Sequence, residues 1–256
     1  MGRLYSSINI ISVFLLLFPF FHSKAYAKEA QDYFARGEEL YRTHHLGPNH
    51  LEQAIGCFEK ALSLKPDDYQ ILCKLSEIYH IYGQTLDEEQ KQKKIALWKK
   101  GVTYGKQAAE ADPEGKEGHF YYMSNMGALA KIQGKLTSIL RFRKIKKEMD
   151  IIFALAPNYP LILVARAQYL TELPEFFGGD EEKARRLYHR ILEIDPDFLI
   201  AYYYLAELDF KQKRYSHAIS NLEKVIEGKG GSPSANWIKL DRPRAEKLLE
   251  KIMDSQ

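Results

Sequence analysis

The chain has 256 residues, with 37 Lys and Arg against 34 Asp and Glu and a formal charge of +3. That near balance, read over the whole chain, predicts no basic block and excludes the clustered positive footprint that a nucleic-acid partner needs. Two cysteines are too few for a disulfide scaffold or a structural zinc site.

The first predicted element is a targeting segment. Arg3 precedes an apolar run from Ile10 to Phe21, and Ala25-Tyr26-Ala27 supplies the small-x-small pattern that a signal peptidase cuts after. The run contains Pro19 and falls well short of the roughly twenty residues a spanning helix needs. The reading is a signal peptide over 1–27 and a periplasmic mature chain over 28–256; a retained anchor is the alternative. No cysteine closes the run, so no lipid-anchored end is expected. No second run approaches spanning length, and the mature chain is expected to be soluble.

The next elements repeat. Leu62 to Pro66, Ala109 to Pro113, Phe153 to Pro157 and Leu192 to Pro196 are apolar helix ends closed by proline, which cannot extend a helix. The prolines are 47, 44 and 39 residues apart, counted along the chain. Regular punctuation at this period predicts stacked helical hairpins. Ala54, Phe58 and Ala61 share one helical stripe at spacing four then three; so do Ala184, Tyr188 and Ile191, and Ala218, Leu222 and Val225. First helices carry the complementary pattern at Gly37 and Leu40, Ser76 and Tyr79, and Ala206 and Asp209. The offsets resemble the tetratricopeptide repeat, most closely over Tyr202 to Glu227. The fold class is therefore all-α: one helical-repeat domain of about five hairpins, closed by a capping helix from Arg242 to Met253.

The units depart from a plain repeat in readable ways. Unit one inserts Leu46 to His50, with Asn49 and Glu52 spaced as a capping box. Unit two adds Gln84 to Gln90 and brings Gly101, Gly105 and Ala108 onto the approach face of its second helix. Unit three has no clean second-helix stripe. Unit four inserts Leu173 to Asp180, where Gly178 and Gly179 reverse the chain and Asp180 caps the next helix, a structural motif rather than an active-site loop. Cys57 and Cys73 flank the turn at Pro66 at comparable heights. They are either two small buried apolar residues or, after export, one disulfide.

Three stretches in order, Gly118-His-Phe-Tyr-Tyr-Met-Ser-Asn-Met-Gly127, Leu173-Pro174 with Gly178-Gly179-Asp180, and Asp241-Arg-Pro-Arg-Ala245, carry a family resemblance. Over roughly Gln31 to Ile252 the chain resembles the TatT component family of periplasmic TRAP transporters, and more weakly the eukaryotic regulator-of-microtubule-dynamics proteins. The resemblance implies an accessory of solute import. Such proteins can assemble as homotrimers, associate with a periplasmic solute-binding protein and hold a hydrophobic small ligand in a hollow. The alternative is a general periplasmic interaction scaffold with no small ligand.

No nucleotide loop, serine elbow or zinc-binding helix is present, so neither catalysis nor a cofactor is expected. His44, His45 and His50 cluster before the second helix and read as loop histidines rather than metal ligands. His119 stands beside Tyr121 and Tyr122. Seventeen tyrosines and 13 phenylalanines are the unusual feature of the composition. Adjacent helical residues point about 100° apart, so Tyr202, Tyr203 and Tyr204 cannot all face one way. First helices line the concave side of such arrays, which nominates Tyr121, Tyr122, Asn125, Tyr203 and Phe210 for binding. Of these, Tyr122, Asn125 and Tyr203 are expected to line the hollow. The competing reading has Asn125 satisfying a neighbouring backbone group and the tyrosines packing.

Overall fold

The computed structural model describes residues 10–133, 135–228 and 234–255; for 10–25, 135–141 and 177 it describes the backbone alone. Residues 1–9 of the expected signal peptide lie outside the described residues. Helix α1 (Ile10–Arg42) pairs with α2 (His50–Leu64), α3 (Tyr69–Thr85) with α4 (Lys91–Ala111), and α5 (Lys116–Gln133) with α6 (Lys135–Leu155). Then α7 (Pro160–Glu172) pairs with α8 (Glu181–Ile194) and α9 (Leu199–Lys211) with α10 (Tyr215–Glu227), and α11 (Arg242–Met253) closes the array. Every regular element among the described residues is helical. No helix among them is long and apolar enough to cross a membrane.

The predicted stripes are the hairpin interfaces. Ala54, Phe58 and Ala61, then Ala184, Tyr188 and Ile191, then Ala218, Leu222 and Val225 are each at most 1 % exposed. Small residues opposite them set the helix spacing: a Cβ added at Gly37 would fall 2.7 Å from the Phe58 ring. In the third unit the same four-then-three spacing recurs on α6 as Ile145, Met149 and Ile152, all buried. Isoleucine stands there where the other units place alanine, which masks the stripe in the sequence.

The turns show which local signals decide. Asp68 caps α3, its Oδ1 accepting from the Gln70 and Ile71 amides at 3.1 and 3.2 Å. Asp180 caps α8 through the Lys183 amide at 2.8 Å. Gly178 has φ +93°, and a Cβ at Gly179 would lie 1.9 Å from the Leu173 carbonyl oxygen, so this reversal requires glycine. The expected Asn49–Glu52 capping box is not formed, because Asn49 makes no side-chain cap bond. Glu52 instead accepts from the Tyr82 hydroxyl and from Lys93 Nζ. The reciprocal box lies at Asp87 and Gln90, ahead of α4.

The disulfide is likewise not formed: Cys57 and Cys73 are free thiols. Cys73 is buried with Leu72 and Ala108 as a small apolar residue, and burial pushes its thiol up to about 12.

One buried ion cluster ties the last two hairpins. Asp209 is 2 % exposed and meets Arg185 Nη1 at 2.9 Å and Arg214 Nη2 at 3.0 Å, with Asn221 Nδ2 donating at 3.2 Å. It thereby joins α8, α9 and the start of α10. Truncation would leave two guanidinium groups without their carboxylate, and Arg185 is itself largely buried. Asp209→Ala should therefore cost about 3 kcal/mol, near the lower end for breaking a buried ion pair. Urea denaturation followed by circular dichroism measures it; a loss under about 1 kcal/mol would make the cluster a surface ornament.

Candidate binding site on the inner face

Side chains of the first helices α1, α3 and α5 meet one another, and the C-terminal segment reaches α1, α3 and α9. Tyr41 of α1 donates its hydroxyl to Glu77 Oε1 of α3 at 3.0 Å. Lys74 bridges Glu77 at 3.1 Å and Glu38 at 3.4 Å and lies 5.8 Å from the centre of the Tyr41 ring. Tyr121 of α5 joins the same group: burial first, then Glu77 and Tyr41, holds its hydroxyl well above the usual phenol range. Burial does the same for Tyr41, reinforced by Glu77. Helix α9 adds Tyr203, which donates to Glu207 at 2.9 Å, and Tyr204, pushed up to about 12 by burial.

The chain's own C-terminal segment closes this face. Asn236 Nδ2 lies 3.4 Å from the Tyr41 hydroxyl, 195 residues away in sequence. Arg244 Nη2 donates to Gln84 Oε1 of α3 at 3.2 Å across 160 residues. Between them Leu240 is buried, and Trp237–Asp241 forms a π-helical turn that touches α3 and α9. Trp237 Nε1 donates to the Val225 carbonyl at 2.7 Å, fixing the segment to α10. The array is thus bridged from its last element back to its first two hairpins.

The nominated residues divide. Tyr121 and Tyr203 belong to the inner face, Tyr203 with its ring also packed against the terminal core cluster. Tyr122 points the other way, with Lys106 and Glu110 of α4 and Glu148 of α6 shaping its environment. Asn125 is fully buried between hairpins, donating to the Ser76 carbonyl at 3.0 Å and to the Tyr121 carbonyl at 2.8 Å. It satisfies backbone groups, as the competing reading held, and does not face the interior. Phe210 packs in the terminal core cluster beside Tyr215, 6.1 Å between ring centres, with Lys251 of α11 5.1 Å from its ring.

Buried His119 has Glu148 Oε2 2.6 Å from Nδ1 and the Pro113 carbonyl 3.0 Å from Nε2. Both ring nitrogens thus have acceptors opposite them, and the residue is a strut within unit three. His44 is buried and bonds the Tyr41 carbonyl at 2.8 Å, and His50 bonds that of Thr43 at 2.9 Å. Among the described residues no cluster of three metal-ligating side chains exists.

Two features escape a reading of the sequence. Tyr41 and Glu77 meet Asn236, and Gln84 meets Arg244, through contacts too distant in sequence for any periodicity to reveal. The basic run Arg141-Phe-Arg-Lys-Ile-Lys-Lys147 is in plain view but hidden by the overall charge balance. It corrects the expectation of no basic block. Arg143, Lys144, Lys146 and Lys147 are all exposed on α6.

This architecture defines a tetratricopeptide-type helical-repeat protein. It superposes on the thermophilic repeat protein TTC0263 of Thermus thermophilus with TM-score 0.63 at 18 % identity, covering 88 % of this chain and 98 % of that one. Against yeast Tom70 the TM-score is 0.54 at 17 % identity, covering 100 % of this chain and 45 % of Tom70. Residues 28–172, more than half of the chain, match the family model for regulator of microtubule dynamics protein 1-3, and the chain belongs to that family. No curated protein matches it.

The closing segment carries a titrating group. Burial raises the Asp241 carboxyl from 3.8 to about 6, against the opposing influence of Arg244. A carboxyl raised in the folded state binds a proton there that the unfolded chain lacks, so its contribution is present at low pH and lost as pH rises through about 6. Hydrogen exchange of the segment 234–244 should therefore be slower at pH 5 than at pH 7 after correction for intrinsic rates. Asp241→Asn should flatten the difference. An unchanged pH dependence in that variant would remove Asp241 as its source.

Proposed function

We propose that this protein is a non-catalytic binding scaffold that holds a protein partner. The observation that carries the reading is the inward face itself. Tyr121, Tyr203 and Tyr204 with Glu77 and Glu207 form a surface of rigid amphipathic rings and fixed carboxylates, the composition of a recognition surface. Nothing about it needs a reacting group.

The finer version is an exported accessory of a TRAP-type importer, associating with a solute-binding protein as monomer or homotrimer. An aromatic interior bridged by the C-terminal segment favours a companion role, retention of a hydrophobic small ligand with one polar end.

A photo-crosslinking residue at position 203, introduced in the native host, tests the scaffold reading. It should trap one protein at fixed stoichiometry, identified by mass spectrometry of the conjugate. Tyr203→Ala should weaken that association at least tenfold while the melting temperature moves by only about 2 °C. Native mass spectra showing a bound small molecule and no protein would replace the scaffold by the ligand carrier.

A further inference from the structure

We infer that residues 234–244 are an intramolecular competitor: they occupy the recognition surface, and a partner segment of like chemistry enters by displacing them from α1 and α3. The inference rests on the scaffold reading above and states what that surface selects and what holds it closed.

The segment already lies beside the residues proposed for recognition. Asn236 Nδ2 reaches the Tyr41 hydroxyl, which itself donates to Glu77 at 3.0 Å. Tyr121 belongs to the same group through Glu77 and Tyr41. At the other end the Arg244 charge bears on Tyr203, Tyr204 and Glu207 of α9. Between these ends Leu240 is 5 % exposed, so the segment is seated on the face rather than draped over it. A partner that uses this surface meets the chain's own segment first.

The seat is firm on one side and light on the other. Trp237 Nε1 donates to the Val225 carbonyl at 2.7 Å, and its ring fills the space where a Cβ at Gly228 would stand 2.6 Å away. Ala245 and Ile252 root α11 in the terminal core, both fully buried. Toward the first two hairpins the described hydrogen bonds are Asn236 to Tyr41 at 3.4 Å and Arg244 to Gln84 at 3.2 Å. Asn236 Oδ1 is buried there with no hydrogen-bond partner, a mismatch that weakens the contact. The backbone between them is the π-helical turn, a geometry that is rare and concentrates at functional sites. Rooted on α10 and α11 and caught lightly on α1 and α3, the segment is built as a latch.

Its contacts also say what replaces it. Both catches are acceptors, the Tyr41 oxygen backed by Glu77 and the Gln84 Oε1 atom, and the segment supplies an amide and a guanidinium on either side of a leucine. Lys74 on the same face is committed to Glu77 and Glu38. The surface therefore selects a segment with hydrogen-bond donors, one of them cationic, flanking an apolar side chain. An acidic segment would set carboxylates against Glu77 and Glu207. An apolar small molecule would replace Leu240 alone and leave both catches unmatched.

Full-length wild type and Asn236→Ala/Arg244→Ala, each checked by circular dichroism, can be titrated with a fluorescent peptide of residues 234–244 and with a copy carrying the same two changes. A tethered segment acts at an effective concentration on the order of millimolar, so the wild type should exclude the peptide. The variant should bind it at least tenfold more tightly than the wild type does, and should bind the altered copy at least tenfold more weakly. Hydrogen exchange at 236–241 should quicken at least tenfold in the variant while α11 keeps its protection. The protein trapped through position 203 should also associate at least tenfold more tightly with the variant. No peptide binding by the variant, equal binding by the wild type, equal binding of the altered copy, or loss of α11 protection along with the segment would each overturn the competitor. Should the double variant unfold, Asn236→Asp sets a second carboxylate against Glu77 and takes its place in every comparison. A trapped partner that binds variant and wild type alike overturns the competitor and leaves the scaffold standing. No trapped protein at all removes the scaffold reading, and the partner inferred here with it.

Discussion

Close approach of paired helices at small residues is the constraint on which the other features rest. Added Cβ atoms at Gly37, Gly83, Gly101 and Gly105 would fall within 2.7 Å of Phe58, Trp98, Asn125 and Ser76 respectively. Each glycine is a socket, and what fills it differs. At Gly37 it is a ring, which gives an ordinary apolar hairpin. At Gly101 and Gly105 it is a polar group, so α4 lies close enough for Ser76 Oγ to donate to the Gly101 carbonyl at 2.8 Å. Interiors packed this tightly tolerate little added volume. Helix spacing therefore fixes which polar groups can be buried and still be partnered.

The same spacing accounts for much of the tyrosine content. Tyr41 donates to Glu77, Tyr69 to Glu117, Tyr79 to Glu59 and Tyr82 to Glu52, each from one helix to another. A tyrosine spans the gap between helices with an apolar ring and delivers its hydroxyl to a carboxylate at the rim. Lysines complete the pattern: Lys93 donates to the Tyr82 hydroxyl at 2.7 Å and Lys100 to that of Tyr79 at 3.1 Å. Glu52 and Glu59 are seven residues apart on α2, as are Lys93 and Lys100 on α4, so two rungs stand one above the other. Tyrosine is thus a structural element in the first two hairpins.

This division explains what the sequence makes legible. The stripes through Phe58, Tyr188 and Leu222 are local patterns imposed by helix periodicity, and they locate the hairpins with nothing else known. Asp180 and Gly178 are local too, since a cap and a left-handed residue act within a few positions. Tyr122 and Asn125 share a first helix with Tyr121, which suggests the hollow, but a helix has several faces. Which one faces inward depends on how α4 and α6 flank α5, and that in turn depends on Gly105 and on the His119–Glu148 strut. The meeting of Asn236 with Tyr41 has no local signature at all. The run from Arg141 to Lys147 is the opposite case, a local signal averaged away by counting charge over the whole chain.

The buried polar groups share a further logic. They occur at Ser76 with Asn125 between the second and third hairpins, at His119 with Glu148 inside the third, and at Asp209 with Arg185 between the fourth and fifth. In a repeat array each unit touches mainly its neighbours, and apolar stripes alone let hairpins slide by a turn at modest cost. A buried pair that must meet within hydrogen-bonding distance restricts the register more tightly, because sliding breaks the bonds it makes. The third unit bears this out: its stripe is built of isoleucine and methionine rather than alanine, which specifies helix approach weakly, and two of these polar contacts converge on it. Polar burial here sets alignment where small residues do not. A contact as distant as Asn236 to Tyr41 becomes attainable only because small errors at each junction are not allowed to accumulate along the array.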